Sequence, residues 1–352
     1  MAPRRWLLYG ANGFTGRKIL ERAVLRGHRP TIAGRAAEKI ASLGAHHAVD
    51  HLAFDLTSPT ILDRHVQTFD LVVNIAGPFV ATADPMLESC LRCGTDYIDI
   101  GGELSVFESI FARERQVIDA GIRVIPGCGF DVVPTDSLAR SLAESMPDAV
   151  SLEIAVSSDT ALSPGTLKAG TGSIARGGYE REDGVLHTVR FGRRGPNIRF
   201  HNGERRTIEG PFADLVTAWH TTGIPTIHTY FALPPGTGAV TAIAPLVETI
   251  FSITPLRRLI NAGIDLAFTS KDGKKVDGDA SIWGRVRNRN GKEIEGWMFT
   301  PEPYRYTADV LIQIIERFSG RLAPGVHTPA GAFGPDIALT VDGTHRYERF
   351  PL

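Results

Sequence analysis

The N-terminal segment joins a short apolar strand to three glycines at fixed spacing. Residues 6–9 read Trp-Leu-Leu-Tyr, and residues 10–16 read GANGFTG ahead of a stretch of helical composition. The first glycine permits a tight turn, the second lets the backbone approach a phosphate, and the third lets the helix pack closely on the strand. Unpaired N–H groups at the helix start then face the anion. The pattern predicts a dinucleotide site in a Rossmann fold, made by Gly10, Asn12, Gly13, Phe14, Thr15 and Gly16.

The end of the second predicted strand indicates which dinucleotide binds. An NAD site usually places Asp or Glu there to accept the ribose 2′-hydroxyl group. Residues 30–35 of this chain read PTIAGR and end on Arg35, whose planar guanidinium can stack on adenine and pair with a 2′-phosphate. We therefore predict NADP(H), with Asp55 near the end of the third strand as a further adenine contact. The alternative is that Arg35 and Asp55 are ordinary surface charges.

Strands and helices alternate through the first part of the chain, and this rhythm changes near residue 150. Alternation predicts an α/β fold with a doubly wound parallel sheet. The later strand-like segments predict a second α+β domain with a mixed or antiparallel sheet. We expect a dinucleotide-binding domain over 1–148 and a substrate or dimerisation domain over 149–302. A helix over about 304–320 is expected to pack back on the first domain.

Bulk properties exclude several classes of protein. The chain has 352 residues, a net charge of −1 and three cysteines, so no global field favours nucleic acid and a reducing compartment is expected. The first strand begins within a few residues of Met1, which argues against an export segment and favours a cytoplasmic protein. Cys90 and Cys93 form a C-x-x-C in an apparent helix without a second pair, so no metal site is expected.

Candidate chemistry lies in the loops that follow the fourth, fifth and sixth predicted strands, because ligands of such sheets bind beyond the carboxyl ends of the strands. Asp131 follows the sixth strand and is a candidate proton carrier, with Tyr304 as a second candidate. The alternative is that Asp131 or Asp136 caps the helix near Pro134. The loop after the fourth strand is expected to lie along the cofactor, through Asn74, Ala76, Gly77, Pro78 and Phe79.

Three segments of the second half have open interpretations. Segments 163–166 and 170–173 offer hydroxyl groups on glycine-containing backbone that suits a carbonyl or phosphate, or they are solvent loops. The arginine-rich stretch from Arg176 to Arg206 fits either an anionic acyl-carrier partner or a solvated face. The apolar stretch 239–268 fits a buried or lid helix, a surface for an acyl chain, or a peripheral membrane contact.

The motifs together resemble a known family. The segments GANGFTG at 10–16, AGR at 33–35, NIAGPF at 74–79, YIDIGGE at 97–103 and GCGFDVVPTD at 127–136 are similar to those of saccharopine dehydrogenase-like oxidoreductases. The set is closest to the branch that contains the trans-acting enoyl reductases. The resemblance implies an NADP(H)-dependent oxidoreductase whose second domain covers the nicotinamide and selects the substrate.

The expected reaction is reduction of a conjugated C=C bond, or of a C=N or C=O bond, in an apolar small molecule of acyl or polyketide-like type. The short-chain dehydrogenase mechanism is excluded, because no tyrosine is followed four residues later by lysine. Amino-acid chemistry of the saccharopine type remains an alternative, as do a non-catalytic NADP(H) sensor and a membrane-associated protein. Homodimer formation is left open.

Overall fold

The computed structural model describes residues 5–160, 164–234, 236, 240–269, 278–318 and 322–351. The chain divides into two compact units. The N-terminal unit comprises Met1–Val133 and Tyr304–Val341, and the second unit comprises Pro134–Pro303 and Asp342–Leu352.

Within the described ranges, the strands and helices follow in chain order. The strands are β1 (Trp6–Tyr9), β2 (Thr31–Gly34), β3 (His51–Ala53), β4 (Leu71–Asn74), β5 (Asp96–Asp99), β6 (Arg123–Ile125), β7 (Ala149–Ser158), β8 (Gly178–Glu182), β9 (Val185–Val189), β10 (Arg194–Phe200), β11 (Gly203–Glu209), β12 (Thr226–Ala232), β13 (Ala280–Asn288), β14 (Glu293–Thr300), β15 (Gly325–Val326) and β16 (His345–Tyr347). The helices are α1 (Phe14–Leu25), α2 (Ala37–His47), α3 (Pro59–Val66), α4 (Phe79–Cys93), α5 (Leu104–Phe111), α6 (Glu114–Asp119), α7 (Val133–Ser145), α8 (Pro164–Ile174), α9 (Asp214–Thr222), α10 (Val240–Ser252), α11 (Thr254–Thr269), α12 (Pro303–Arg317) and α13 (Pro329–Phe333).

The N-terminal unit is built on a parallel sheet in the order β15-β6-β5-β4-β1-β2-β3. Every residue of β1 and β4 is buried, as expected for apolar strands with helices on both faces. Tyr9 is in register with Asn74, and Asn74 with Asp99, so the carboxyl ends of the three central strands meet at one edge. The predicted doubly wound parallel sheet is confirmed.

The second unit is built on a mixed sheet in the order β10-β11-β12-β7-β13-β14-β16, with β8 and β9 extending from β12. Strand β12 runs parallel to β7, whereas β13 and β14 are antiparallel to their neighbours. Helix α7 packs on one face at Gly284, where a Cβ atom would lie 2.8 Å from Leu142 Cδ1. Buried aromatic residues, including Trp283 and Trp297, form a core on the sheet. The predicted mixed sheet is confirmed.

The sequence interpretation differs from the structure in three places. Segments 163–166 and 170–173 are interpreted as loops from their sequence, but their described residues, 164–166 and 170–173, lie in helix α8. Residues 161–163 lie outside the described part. The composition of residues 107–120 indicates one helix, whereas the structure has two helices here, α5 and α6. The apolar stretch 239–268 forms two helices, α10 and α11, where its described part begins at Val240. None of the described helices is both long and apolar enough to cross a membrane.

Candidate functional site

The glycine loop between β1 and α1 requires glycine for steric reasons at two positions. Gly10 has a φ of +94°, and a Cβ there would lie 2.8 Å from Ala76 N. A Cβ on Gly16 would lie 2.5 Å from Gly10 O. The Gly13 N–H donates to Gly10 O at 3.0 Å and closes the turn. The loop is therefore too tight for side chains, and its backbone is open to a ligand.

The start of α1 offers the hydrogen-bond donors that a pyrophosphate needs. Gly13 is the N-cap residue, and within the described ranges no side chain caps this helix. Its first turn carries no acidic residue, Phe14 and Gly13 are exposed, and Thr15 is half-buried. The side chain of Asn12 lies close to the end of β2. A Cβ atom on Gly34 would be only 2.8 Å from Asn12 Oδ1. The N–H groups and the positive end of the helix dipole thus fit a diphosphate.

The ends of β2 and β3 carry the charges predicted for the adenine side. Arg35 is exposed directly after β2, and Asp55 is exposed after β3. Asp55 accepts hydrogen bonds from Thr57 Oγ1 at 2.5 Å and Thr57 N at 2.9 Å. These bonds lower the pKa of Asp55, and the Arg35 charge lowers it further. Arg35 is free to reach a 2′-phosphate, whereas the carboxylate of Asp55 already has a partner.

Tyr9, at the end of β1, contacts Phe54 through both its hydroxyl and its ring. Its hydroxyl donates to Phe54 O at 3.3 Å, and its ring packs on that of Phe54 with centroids 5.2 Å apart. Burial raises the pKa of Tyr9 to about 12 against the opposing charge of Arg35. The phenol is therefore a neutral structural group at this edge of the sheet.

The loop after β4 lies directly beside the glycine loop. Buried Asn74 accepts from Ala76 N at 3.2 Å and donates to Tyr97 Oη at 3.3 Å. The Gly77–Pro78 peptide bond is cis, and both residues are exposed. Phe79 differs from its neighbours, because its ring is buried against Gly101. The backbone of Ala76, Gly77 and Pro78 therefore lies at the predicted cofactor position. The hydrogen bond from Ala76 N to Asn74 stabilises this turn.

Asp99 connects two further loops and was not predicted as a site residue. Its carboxylate is fully buried and accepts from Gly101 N and Gly127 N at 2.9 Å each and from Tyr97 Oη at 2.8 Å. Burial raises its pKa to about 6 despite these three donors. Asp99 thus ties the loop after β5 to the loop after β6. Its position at the end of the apolar segment YID is the sequence signal that indicates such a role.

Glu103 is the second carboxylate that the sequence interpretation missed. It is buried, and its Oε1 accepts from Phe79 N at 3.0 Å while Oε2 accepts from Gly102 N at 3.3 Å. The first bond satisfies an N–H of the first turn of α4, which otherwise has no intrahelical partner. Glu103 therefore joins the loop after β4 to the loop after β5.

Asp131 packs against this junction. A Cβ on Gly102 would lie 2.8 Å from Asp131 Oδ2. Asp131 is an exposed residue, and desolvation of its carboxylate raises its pKa to about 6, with the Glu103 charge adding to the rise. Helix α7 begins at Val133, two residues further on, so Asp131 precedes its first turn.

Helix α12 contributes to the same unit from the far end of the sequence. The ring of Tyr304 meets that of Phe14 edge-on, with centroids 5.0 Å apart, so Tyr304 lies beside the glycine loop. One turn later, Thr307 Oγ1 accepts from Phe130 N at 3.0 Å and thereby holds the loop that carries Asp131. The structure thus places Tyr304 beside Phe14 of the glycine loop, and Thr307 is a further residue that sequence patterns did not single out.

Two further residues, Asp136 and Cys128, have structural roles. Asp136 lies in the first turn of α7, is fully buried and accepts from Thr221 Oγ1 at 2.5 Å. Cys128 is fully buried, and burial raises the pKa of its thiol well above the ordinary value. A buried neutral thiol is a poor nucleophile.

The second unit contains a charged cluster with metal-ligand types. Ligand atoms of Glu180, Glu209 and His228 lie within 4.8 Å of one another. Arg193 forms ion pairs with both glutamates, and His228 Nδ1 lies 3.2 Å from Glu209 Oε1. The hydrogen bond with Glu209 raises the pKa of His228. Burial favours a raised pKa for Glu209, but its bonds from His228 and Arg193 lower it overall. These atoms are engaged in an ion-pair network that joins β8, β11 and β12.

Comparisons with known proteins agree with the geometry of the N-terminal unit. Residues 6–125 match the family model described as the saccharopine dehydrogenase NADP binding domain. Proteins named trans-acting enoyl reductase from Mycobacterium tuberculosis and Mycobacterium leprae are each 34% identical over 138 residues, which is 37% of this chain and 33% of each relative. The chain thus spans about a third of the length of the curated relatives it matches.

A solved structure extends the similarity to the whole chain at the level of fold. The apo saccharopine dehydrogenase (L-Glu forming) from Saccharomyces cerevisiae has a TM-score of 0.64 at 12% identity, over 96% of this chain and 95% of that chain. The resemblance to saccharopine dehydrogenase-like proteins is therefore confirmed, and so is NADP(H) as the cofactor of the N-terminal domain. The individual cofactor contacts remain predictions.

Proposed function

Since residues 6–125 match the family model of the saccharopine dehydrogenase NADP binding domain, we propose that this chain is an NADP(H)-dependent oxidoreductase that reduces a conjugated C=C bond in an apolar enoyl or enone substrate. The observation that carries the proposal is the crowded but solvent-accessible carboxylate of Asp131 at the carboxyl edge of the parallel sheet. The mycobacterial relatives named trans-acting enoyl reductase favour C=C reduction over reduction of C=N or C=O.

The chain holds the cofactor mainly through backbone. The N–H groups at the start of α1 bind the diphosphate, and Arg35 pairs with the 2′-phosphate that distinguishes NADPH from NADH. The loop of Ala76, Gly77 and Pro78 offers a side-chain-poor wall for the nicotinamide ribose. When bound, NADPH would supply the hydride that the β-carbon of the enoyl group accepts.

Asp131 supplies the proton that completes the reduction. Its pKa of about 6 lies close to neutral pH, the range in which a carboxyl group both holds and releases a proton efficiently. The carboxyl proton goes to the α-carbon of the substrate, and the resulting carboxylate takes a new proton from solvent. One hydride and one proton thus saturate the double bond. Tyr304, beside Phe14, is the second candidate for this transfer.

Substrate delivery belongs to the same proposal. An enoyl group carried as a thioester on an acyl-carrier protein would act as substrate in trans, as the names of the relatives suggest. Arg181 of the arginine-rich stretch is buried and donates to Leu215 O at 2.6 Å. Arg193 is paired with two glutamates. The exposed Arg190 and Arg194 are therefore the candidate carrier contacts. Comparison of free and carrier-bound thioesters tests this step.

The decisive assay follows NADPH oxidation by purified protein with an enoyl thioester, an enone and a cyclic imine, with NADH in parallel. We expect oxidation of NADPH with the thioester or the enone, and loss of the preference for NADPH in Arg35→Ala. Arg29→Ala is the matched control, because Arg29 is an exposed arginine before β2, at the opposite end of that strand from Arg35, and its Nη1 donates to His28 O at 2.9 Å.

Other outcomes would overturn the proposal in distinct ways. Oxidation with the imine alone would assign C=N reduction. Turnover with an amino acid and a keto acid would assign saccharopine-type chemistry. Tight NADPH binding without oxidation by any compound would assign a sensor.

A further inference from the structure

Helices α10 and α11 of the second unit expose large apolar side chains along one short stretch. The exposed fractions are 59% for Leu246, 49% for Ile253, 36% for Leu256 and 69% for Leu259. Leu256 and Leu259 are three residues apart and share one side of α11. Single exposed leucines are common on protein surfaces, but a cluster of this kind marks an interaction site.

The other side of the same helix pair is already packed. Ala244 is buried against Gly192, where a Cβ would lie 2.5 Å from Ala244 Cβ. Glu248 Oε2 accepts from Phe191 N at 3.1 Å, and Asn261 Oδ1 accepts from Thr171 Oγ1 of α8 at 3.0 Å. These contacts anchor the helices on the second unit. The exposed leucines therefore contribute nothing evident to the fold of this unit.

Among the described side chains of α10 and α11, the exposed charges have one sign. Glu248 is turned inward by its bond to Phe191 N, and among the described side chains of α10 and α11 no acidic residue is exposed. Arg258 is exposed on α11, and half-buried Arg257 donates to Phe251 O at 3.0 Å. An apolar surface with cationic groups and without acids is complementary to an anionic lipid surface.

We propose that the surface formed by Leu246, Ile253, Leu256, Leu259 and Arg258 binds the interface of an anionic lipid bilayer. The helices lie along the bilayer plane, the four apolar side chains enter the acyl boundary, and the Arg258 guanidinium pairs with lipid phosphate. The described helices do not cross a membrane, so the association is peripheral and reversible. This inference goes beyond the proposed reduction and does not depend on it.

Vesicle flotation tests the surface without any substrate. Purified full-length protein is floated with phosphatidylglycerol vesicles and, separately, with phosphatidylcholine vesicles, in the wild type and in the double variant Leu256→Gln/Leu259→Gln. We expect the wild type to float with phosphatidylglycerol and the double variant to lose about tenfold or more of its partitioning, because two apolar side chains no longer enter the interface. Arg258→Gln should weaken flotation with phosphatidylglycerol, as should added salt.

The matched control is Leu25→Gln, because Leu25 is a leucine at the end of α1 with 78% exposure. Unchanged NADPH binding in every variant shows that the variants are folded. Failure of the wild type to float with phosphatidylglycerol would overturn the proposal, as would equal flotation of the double variant. Concentration-dependent dimers that the double variant abolishes would assign the surface to a second copy of the chain instead.

Discussion

The two units of the chain place carboxylates in opposite electrostatic settings. In the N-terminal unit, burial raises the pKa of Asp99 to about 6, and desolvation of the solvent-accessible Asp131 carboxylate raises its pKa to about the same value. Asp99 is held by neutral donors, and Asp131 lies near a second carboxylate. In the second unit, Glu209 has Arg193 and His228 as partners, and their bonds lower its pKa in spite of its burial.

This difference separates a group that transfers protons from a group that holds strands together. A carboxylate with cationic partners stays charged through the neutral range and contributes its charge to structure. A crowded carboxylate without such partners holds a proton near neutral pH, which is the property of a general acid. The comparison therefore supports our proposal that Asp131 acts as the proton donor, and it gives the network around Glu209 a structural role.

The largest expected effect distinguishes these two roles directly. Asp131→Asn should lower kcat by about 10²- to 10⁴-fold, the usual contribution of a general acid, with little change in the Kd for NADPH. Glu209→Gln should leave kcat close to that of the wild type and lower thermal stability. Steady-state kinetics, fluorescence titration and thermal unfolding measure the three quantities. An equal loss of turnover in both variants would end the distinction, and an unchanged kcat in Asp131→Asn would move the proton donor to Tyr304.

The next largest effect concerns Asp99, whose carboxylate is held by neutral donors, is fully buried and, unlike that of Asp131, does not face solvent. Asp99→Ala leaves the N–H groups of Gly101 and Gly127 and the hydroxyl of Tyr97 without their acceptor, at a loss of about 3 kcal/mol of folding free energy. Asp99→Asn keeps one oxygen acceptor in place and should lose much less. Urea unfolding monitors both variants. Equal destabilisation by alanine and asparagine would show that the three hydrogen bonds do not carry the effect.

The elements that could be predicted from sequence are those set by local patterns. The glycines of the first loop follow from spacing alone, since the turn, the phosphate approach and the helix contact all lie within seven residues. Arg35 follows from its place at a strand end. The roles of Asp99 and Glu103 could not be derived in this way, because their partners Gly127 and Phe79 are distant in the sequence.

Helix α8 shows the opposite case, in which a local sequence pattern predicts the wrong structure. Gly170 and Gly172 indicated a flexible loop, since glycine lowers helix propensity by about 1 kcal/mol per residue relative to alanine. Tertiary contacts such as the bond from Thr171 Oγ1 to Asn261 Oδ1 outweigh that preference. A Cβ on either glycine would meet no atom within 4 Å, in contrast to Gly10 and Gly16. The same residue type is thus a steric requirement in one unit and a replaceable residue in the other.

A smaller effect tests whether Glu103 acts on Asp131. Glu103→Gln removes a negative charge while its amide oxygen still accepts one of the two backbone bonds. The pKa of Asp131 should fall, so the alkaline decline of kcat should begin at lower pH, with a roughly two- to fivefold loss at neutral pH, because each pKa unit changes the protonated fraction tenfold. Carboxyl ¹³C NMR of Asp131, assigned with Asp131→Asn, reports the same pKa without turnover.

The control for this charge effect is Glu108→Gln, which changes an exposed glutamate of α5. That variant should leave both the pH profile and the Asp131 resonance unchanged. A fall in kcat for Glu103→Gln without any change in the pKa of Asp131 would show that Glu103 acts through loop geometry alone. A normal Asp131 pKa in the wild type would contradict the premise of both experiments.

The smallest expected effect is on the pH dependence of stability, through His228 and its carboxylate partners in the second unit. His228 faces Glu180 and Glu182 on β8, Glu209 on β11, Arg193 before β10 and Tyr230 on its own strand. Because the pKa of His228 is raised above its ordinary 6.5, its stabilising contribution is complete below pH 6.5 and is lost as pH rises through the raised pKa. The lowered pKa of Glu209 means that its own contribution is lost only as pH falls below 4.5.

The variant His228→Gln should therefore destabilise the second unit by about 1.5 kcal/mol at pH 5.5, the size of a hydrogen bond to a charged group, and by less at alkaline pH. Urea unfolding of wild type and variant at both pH values measures the gap. The matched control is His187→Gln on β9, an exposed histidine that should show no such gap. A gap that stays constant with pH would mean that His228 contributes by packing rather than by charge, and the contrast between the two units would then rest on Arg193 alone.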